Sequence, residues 1–249
     1  TGADLANELE EMLAVYDASN VAAVIVEPLA GSAGVIPPPK GYLKRLRDIC
    51  TKHNVLLIFD EVITAFGRMG SNTGAAEFGV TPDIMTVAKQ LTNGVIPMGA
   101  VISKQEIYDT FMETGGPEYM LELPHGYTYS AHPVACAAAL ASLDVLAQEN
   151  LPERVKSIAP YFQEVLHSLK SCKHVVDIRN YGLAGGITIA HAPGEPAKRP
   201  HQIAMKMWQK GFYVRYGGDT IQLGLPFTST LAEISSLMNA LGEILNEID

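Results

Sequence analysis

The 249 residues are 47% hydrophobic and 18% charged, with 22 Gly and 15 Pro that follow no collagen-like period; this excludes a disordered chain and leaves room for a sizeable core. Acidic residues outnumber basic ones 27 to 18 for a net charge of −9, and no Lys/Arg cluster interrupts that background, so nucleic acid and anionic membrane surfaces are not expected partners. Cys50, Cys136 and Cys172 are far apart and odd in number, which fits a reducing, cytoplasmic setting without disulfides. Leu5, Leu9, Met12, Leu13 and Tyr16 recur at helical spacing and predict an amphipathic helix that stops at 17–20. Val21 to Val26 is a β-branched run without polar alternation, the pattern of a parallel strand buried on both faces, and it ends at Glu27-Pro28. Leu43, Leu46, Ile49 and Cys50 mark a second helix. Further strands are expected over Val55–Phe59 and Ile84–Ala88, closing at Asp60-Glu61 and at Lys89. A fourth, Gly99–Ser103, follows the third after so short a turn that it is expected to run antiparallel to it. Pro133–Gln148 reads as an Ala-rich helix capped by Ser130, and its apolar stretch, Val134 to Ala147, is too short to span a bilayer.

Past residue 150 the pattern changes. Short strands are expected near 174–179 and 185–190, a helix near Ile203–Gln209, and a hairpin joining Phe212–Tyr216 to Thr220–Leu223 through Gly217-Gly218-Asp219. A last helix opens at Thr230, which forms a capping box with Glu233. The alternation of strands and helices predicts an α/β fold: residues 1–150 belong to a large, mostly parallel-sheet domain and 151–249 to a small α+β domain. The absence of an initiator Met, with a helix beginning at once, points to a portion of a longer chain.

Three expected strands end in ionisable residues, Glu27, Asp60 and Lys89. Ligands of open α/β sheets bind beyond the carboxyl ends of the strands. A lysine in so dry a setting must be paired or have a lowered pKa, and a lysine of lowered pKa forms Schiff bases. A carboxylate there needs a cationic partner. A lysine that holds an aldehyde and an acid that keeps a pyridine nitrogen protonated are what pyridoxal-phosphate chemistry requires. A structural Asp60–Lys89 ion pair accounts for the same residues equally well. The seven histidines show no metal-ligand spacing, so no metal is expected. Gly31-Ser32-Ala33-Gly34 reads as a tight connecting loop rather than a phosphate cradle, and Met205 and Met207 as core filler.

The segments VIVEPLAGSAGV (24–35), LLIFDEVITAFGRMG (56–70), PDIMTVAKQLTNG (82–94) and MGAVIS (98–103) together resemble the class III pyridoxal-phosphate-dependent aminotransferases of fold type I. HGYTYSAHPVACAAAL (125–140) and GFYVRYGGDTIQLG (211–224) narrow the resemblance to the ω-amino acid:pyruvate branch. It runs from the first helix to the last. It implies pyridoxal 5′-phosphate as cofactor, and a ping-pong Schiff-base transfer from an ω-amino acid such as β-alanine to pyruvate, giving malonate semialdehyde and alanine. It also implies a homodimer or a dimer of dimers, with the first half of such enzymes preceding Thr1. The alternatives are another donor, γ-aminobutyrate or a diamine, and an inactive portion that retains part of the fold.

Carried over by position, Lys89 resembles the catalytic lysine that holds the cofactor and shuttles the substrate proton. Asp60 resembles the acid at the pyridine nitrogen, and Val62 the apolar group on one ring face. Thr128 is similar to the threonine that reaches the phosphate of the neighbouring subunit's cofactor, and Arg215 to the arginine that binds the substrate carboxylate. By residue type alone, Val62 reads equally as core, Thr128 as a turn or capping residue, and Arg215 as a solvated hairpin side chain. Two positions depart from the pattern. Ser32 stands where the ornithine and γ-aminobutyrate branches carry a glutamate that gates the arginine, and Ala65 stands where a glycine is common, beside the site.

Overall fold

The computed structural model describes residues 1–249. Its elements run α1 (Gly2–Tyr16), β1 (Ala23–Val26), α2 (Tyr42–Lys52), β2 (Leu56–Asp60), α3 (Gly74–Phe78), β3 (Ile84–Val87), β4 (Ala100–Ser103), α4 (Gln105–Thr114) and α5 (Pro133–Gln148). They continue with α6 (Leu151–His167), β5 (Val175–Tyr181), β6 (Ala184–Ile189), α7 (Lys198–Gln209), β7 (Arg215–Gly217), β8 (Thr220–Gly224) and α8 (Leu231–Glu247). Two compact units result. The first holds Thr1–Glu27, Pro39–Phe66 and Phe78–Gln148; the second gathers Glu149–Asp249 together with Pro28–Pro38 and Gly67–Glu77. The units therefore interleave along the chain rather than dividing once near residue 150. No single helix is long and apolar enough to cross a membrane.

In the first unit β1, β2 and β3 are parallel and β4 is antiparallel to β3, in the order β1-β2-β3-β4. The register aligns Ile25 with Ile58 and Ile58 with Ile84, so aligned residues share a face. On one face Leu57, Phe59 and Val87 are buried. α2 contributes buried Leu43, Leu46, Ile49 and Cys50, while Ala139 of α5 clusters with Val87 and Leu91. The other face departs from the expectation of two buried faces: Ile25 is 62% and Val101 69% exposed. The apolar run was composed for a covered sheet, and this chain supplies no layer over that side.

The second unit is built on an antiparallel sheet in the order β5-β6-β8-β7. Adjacent glycines in β6 serve opposite faces. A Cβ on Gly185 would stand 2.9 Å from Phe162 Cζ and 2.8 Å from Leu166 Cδ2 of α6, whereas one on Gly186 would stand 2.5 Å from the Gly34 carbonyl oxygen. Glycine thus admits a helix on one side and the 28–38 loop on the other. α8 starts on the capping box expected from Thr230 and Glu233 and buries Ile234, Leu237, Met238, Leu241, Ile244 and Leu245.

Residues 67–77 are fastened within this unit by Arg68, whose Nη1 donates to the carbonyls of Leu183 and Leu225 and whose guanidinium lies 4.6 Å from the centre of the Phe227 ring. Burial lowers its pKa to about 10. At the same point Gly182 has φ 54°, and a Cβ there would meet Arg68 O at 2.3 Å and Met69 Cα at 2.6 Å. Gly182→Ala combines a left-handed backbone with a clash against main chain, and is expected to lower stability by about 2–4 kcal/mol, read from the urea midpoint.

Three helices escape the sequence reading, the short α3 and the longer α4 and α6. In α6, Leu151, Val155, Ile158, Phe162 and Leu166 form a buried helical stripe, but Pro152 and Pro160 read as breakers. Pro152 lies in the first turn, where its missing N–H costs nothing. α4 buries no residue, so no burial stripe marks it. The cap expected of Ser130 is not formed. Its hydroxyl accepts from Tyr127 N–H at 3.0 Å and closes a turn backwards, and α5 starts only at Pro133.

Candidate active site

β2 and β3 lie side by side and parallel, with Asp60, the last residue of β2, opposite Thr86 of β3. Three residues beyond Thr86 the chain turns sharply. Lys89 opens a 3-10 turn (Lys89–Leu91) at φ 45°, a left-handed backbone that costs an L-residue about 1–2 kcal/mol. The turn is anchored by Leu91, which is 6% exposed, and by Thr92, whose hydroxyl donates to Ile96 O at 2.7 Å. The left-handed residue thus sits just past the carboxyl end of β3, held by the turn that follows it.

Asp60 is half-buried, and its Oδ1 accepts from Val62 N–H at 3.0 Å. Glu61 takes the structural part of the pair. Fully buried, it donates its N–H to Thr86 O at 2.9 Å and accepts from Thr64 Oγ1 at 2.7 Å, pinning the turn after β2. Lys89 is exposed rather than enclosed in a dry setting as expected, because the sheet's other face is open here. No hydrogen bond or ion pair joins Asp60 to Lys89, so the structural ion pair that the residue types allow does not form.

The register brings Asp60, Val62 and Lys89 to one end of the sheet, with Val62 half-buried beside Asp60. Ala65 is 2% exposed and packs with Val87, Leu91 and Ala139, so its methyl group belongs to the core rather than to an open site. Thr128 is exposed in the turn that Ser130 closes on Tyr127, and its hydroxyl bonds to nothing. Beside it, a cavity of about 540 Å³ is lined by Met98, Gly99, Tyr127, Tyr129, His132 and Ala135. Nδ1 of His132 is buried without a hydrogen-bond partner. That residue went unremarked in the sequence; its only signal was a histidine placed directly before the proline that starts α5.

Arg215 belongs to the second unit, at the start of edge strand β7, exposed and without ion pair or hydrogen bond. Ser32 is exposed in the 28–38 loop of the same unit, and its carbonyl accepts from Gln222 Nε2 at 3.0 Å. No group of three or more His, Cys, Asp or Glu side chains converges as a metal site would require.

Residues 2–245 match the family described as aminotransferase class III. The chain belongs to the class III aminotransferases. Among its relatives in that family, the beta-alanine–pyruvate aminotransferase of Pseudomonas aeruginosa is 60% identical over 99% of this chain and 55% of that protein. The omega-amino acid–pyruvate aminotransferase of Pseudomonas putida is 59% identical with the same coverage. An amine transaminase from an uncultivated Pseudomonas species, solved in its PLP-bound form, superposes with a TM-score of 0.92 at 38% identity, over 99% of this chain and 56% of that one. The chain thus spans about half the length of the class III aminotransferases it matches, and its α/β fold is the fold type I of PLP-dependent transferases.

Proposed function

We propose that the protein is a pyridoxal 5′-phosphate-dependent aminotransferase that moves the amino group of an ω-amino acid such as β-alanine to pyruvate, giving malonate semialdehyde and alanine. The observation that carries this reading is the separation of Asp60 and Lys89. Two opposite charges at the ends of neighbouring strands that leave each other unpaired are both available to a third group. The cofactor has the matching parts, an aldehyde for the amine and a pyridine nitrogen for the carboxylate, and the donor set fits it. The 59–60% identity to two enzymes named for pyruvate-dependent transfer supports the choice of substrates.

In this reading Lys89 would hold the aldehyde, Asp60 would pair with the ring nitrogen, and Val62 would offer an apolar side chain to the ring. The free hydroxyl of Thr128 would serve a phosphate oxygen of the neighbouring subunit's cofactor in a homodimer. When bound, pyridoxal phosphate supplies a carbonyl that condenses with primary amines and a cationic ring that takes up the electron pair left by a departing proton. The work of the chain is positional. The strained turn fixes where the Lys89 amine stands, and its Nζ takes the proton from the donor's amino-bearing carbon. The backbone N–H of Val62 holds one oxygen of Asp60 and so orients the other. Arg215 receives the carboxylate of donor and acceptor in turn, as a fork-shaped cation suits both.

The test uses the full-length protein loaded with pyridoxal phosphate and follows alanine formed from pyruvate. β-Alanine is expected to be used at least ~10-fold more efficiently than putrescine, the difference one charge-assisted carboxylate contact makes. A preference for putrescine overturns the donor assignment, and no alanine from any amine overturns the activity.

A further inference from the structure

The register of the second sheet aligns four residues that are scattered in the sequence. Arg179 of β5 pairs with Gly186 of β6, Gly186 with Gln222 of β8, and Gln222 with Arg215 of β7. Directly opposed residues of antiparallel strands present their side chains on the same face, so these four form one row across the sheet. The 28–38 loop is laid along that row. Arg179 Nε donates to Gly34 O at 2.8 Å, the bare Gly186 lets the same carbonyl approach, and Gln222 Nε2 donates to Ser32 O at 3.0 Å. The next place on the row is Arg215, exposed and unbonded.

Gln222 is the residue that adjoins both. It is 9% exposed in a strand whose other residues are Thr220, Ile221, Leu223 and Gly224, and a Cβ on Gly217, two residues beyond Arg215, would stand 3.2 Å from its Nε2. The carboxylates at this end of the sheet are engaged elsewhere: Asp177 with Arg179 at 2.8 Å, and Asp219 with Thr220 at 2.9 Å and His191 at 3.2 Å. The same-face positions next to Arg215 are therefore held by Gln222 across from it and by the pair Gly217 and Thr220, none of them anionic.

We propose that Gln222 is a positioning residue for Arg215: its neutral amide fastens the Ser32 segment beside the arginine and leaves the guanidinium without an internal anion, ready for a substrate carboxylate. This rests on the reading of Arg215 as the carboxylate receiver. Gln222 touches no substrate. It holds the Ser32 carbonyl and keeps the position across from the arginine uncharged. A glutamate of the same shape at 222 would lose the donor to Ser32 O and place an anion directly across from Arg215.

The experiment compares Gln222→Leu, Gln222→Glu and Arg215→Ala in the full-length holoprotein. Gln222→Leu is expected to raise KM for β-alanine and for pyruvate by about 3- to 10-fold, and Gln222→Glu by about 10-fold or more, with kcat within 2-fold. The first half-reaction with 1-phenylethylamine, which has no carboxylate, should change less than about 2-fold in both variants. The dissociation constant of propionate should rise in parallel with the KM values. Unchanged KM and propionate affinity in the Gln222 variants, with Arg215→Ala raising both, overturns the role of Gln222 alone. Equal losses with β-alanine and 1-phenylethylamine also overturn it, since they report packing. If Arg215→Ala leaves carboxylate affinity unaltered, the reading of Arg215 falls and takes this proposal with it. The isosteric Gln222→Glu variant decides the matter if Gln222→Leu does not fold.

Discussion

Lys89→Ala in the full-length protein is expected to lose at least about 10²- to 10⁴-fold in turnover with β-alanine and pyruvate, the range that removal of a positioned proton carrier produces. The loss should fall on kcat in both halves of the reaction, because the same amine serves donor and acceptor. Stability should not follow activity. The Lys89 side chain is exposed and bonds to nothing, so the apoprotein is expected to keep its unfolding free energy to within about 0.5 kcal/mol. Leu91 and Thr92, which anchor the turn, are unchanged in the alanine variant, so it is expected to separate the role of the amine from that of the turn that carries it. A comparable fall in stability would assign Lys89 to the scaffold instead.

The second large effect is structural and lies at the other end of β3. Asp83 is 8% exposed and serves three elements at once. Its Oδ2 accepts from Leu57 N–H at 2.7 Å and from Arg47 Nη1 at 2.6 Å, and its Oδ1 accepts from Lys104 Nζ at 2.7 Å. One carboxylate thereby ties β2, α2 and the residue before α4 to the start of β3. Asp83→Ala strands a buried N–H and a largely buried guanidinium together, and is expected to cost about 3–5 kcal/mol in urea unfolding. Burial pushes the Asp83 pKa up, but the bonds from Leu57, Lys104 and Arg47 outweigh it and leave it below the usual carboxylate value. Because the folded pKa is the lower one, the stabilisation is complete above about pH 4 and is lost as pH falls through the folded value. The urea midpoint of the wild type should therefore drop below about pH 4, and the Asp83→Ala midpoint should drop less over the same interval. Equal acid sensitivity would remove Asp83 from this role.

Much of the first unit could be read from the sequence because its signals are local. The unbroken apolar runs before Asp60 and Lys89 named two parallel strands, and the brief turn before Gly99 named the antiparallel one. What escaped depends on partners far along the chain. Whether Ile25 and Val101 are covered is decided by a layer, not by the strands themselves. The proline pair in α6 hid a buried stripe, since a breaker's effect depends on its place in the helix. Asp60 and Lys89 were legible as strand-end charges, but whether they pair was not. Gln222 was least legible of all: the row from Arg179 to Arg215 exists only once the order β5-β6-β8-β7 and its register are known.

The central claim is that Lys89 is the residue on which the cofactor is held. Borohydride reduction of the full-length holoprotein, followed by proteolysis and mass spectrometry, reads the attachment point without any assay of activity. The expected result is one pyridoxyl-phosphate adduct per chain, on the peptide containing Lys89. An adduct on another lysine such as Lys104, or no adduct in protein that has bound the cofactor, would contradict it.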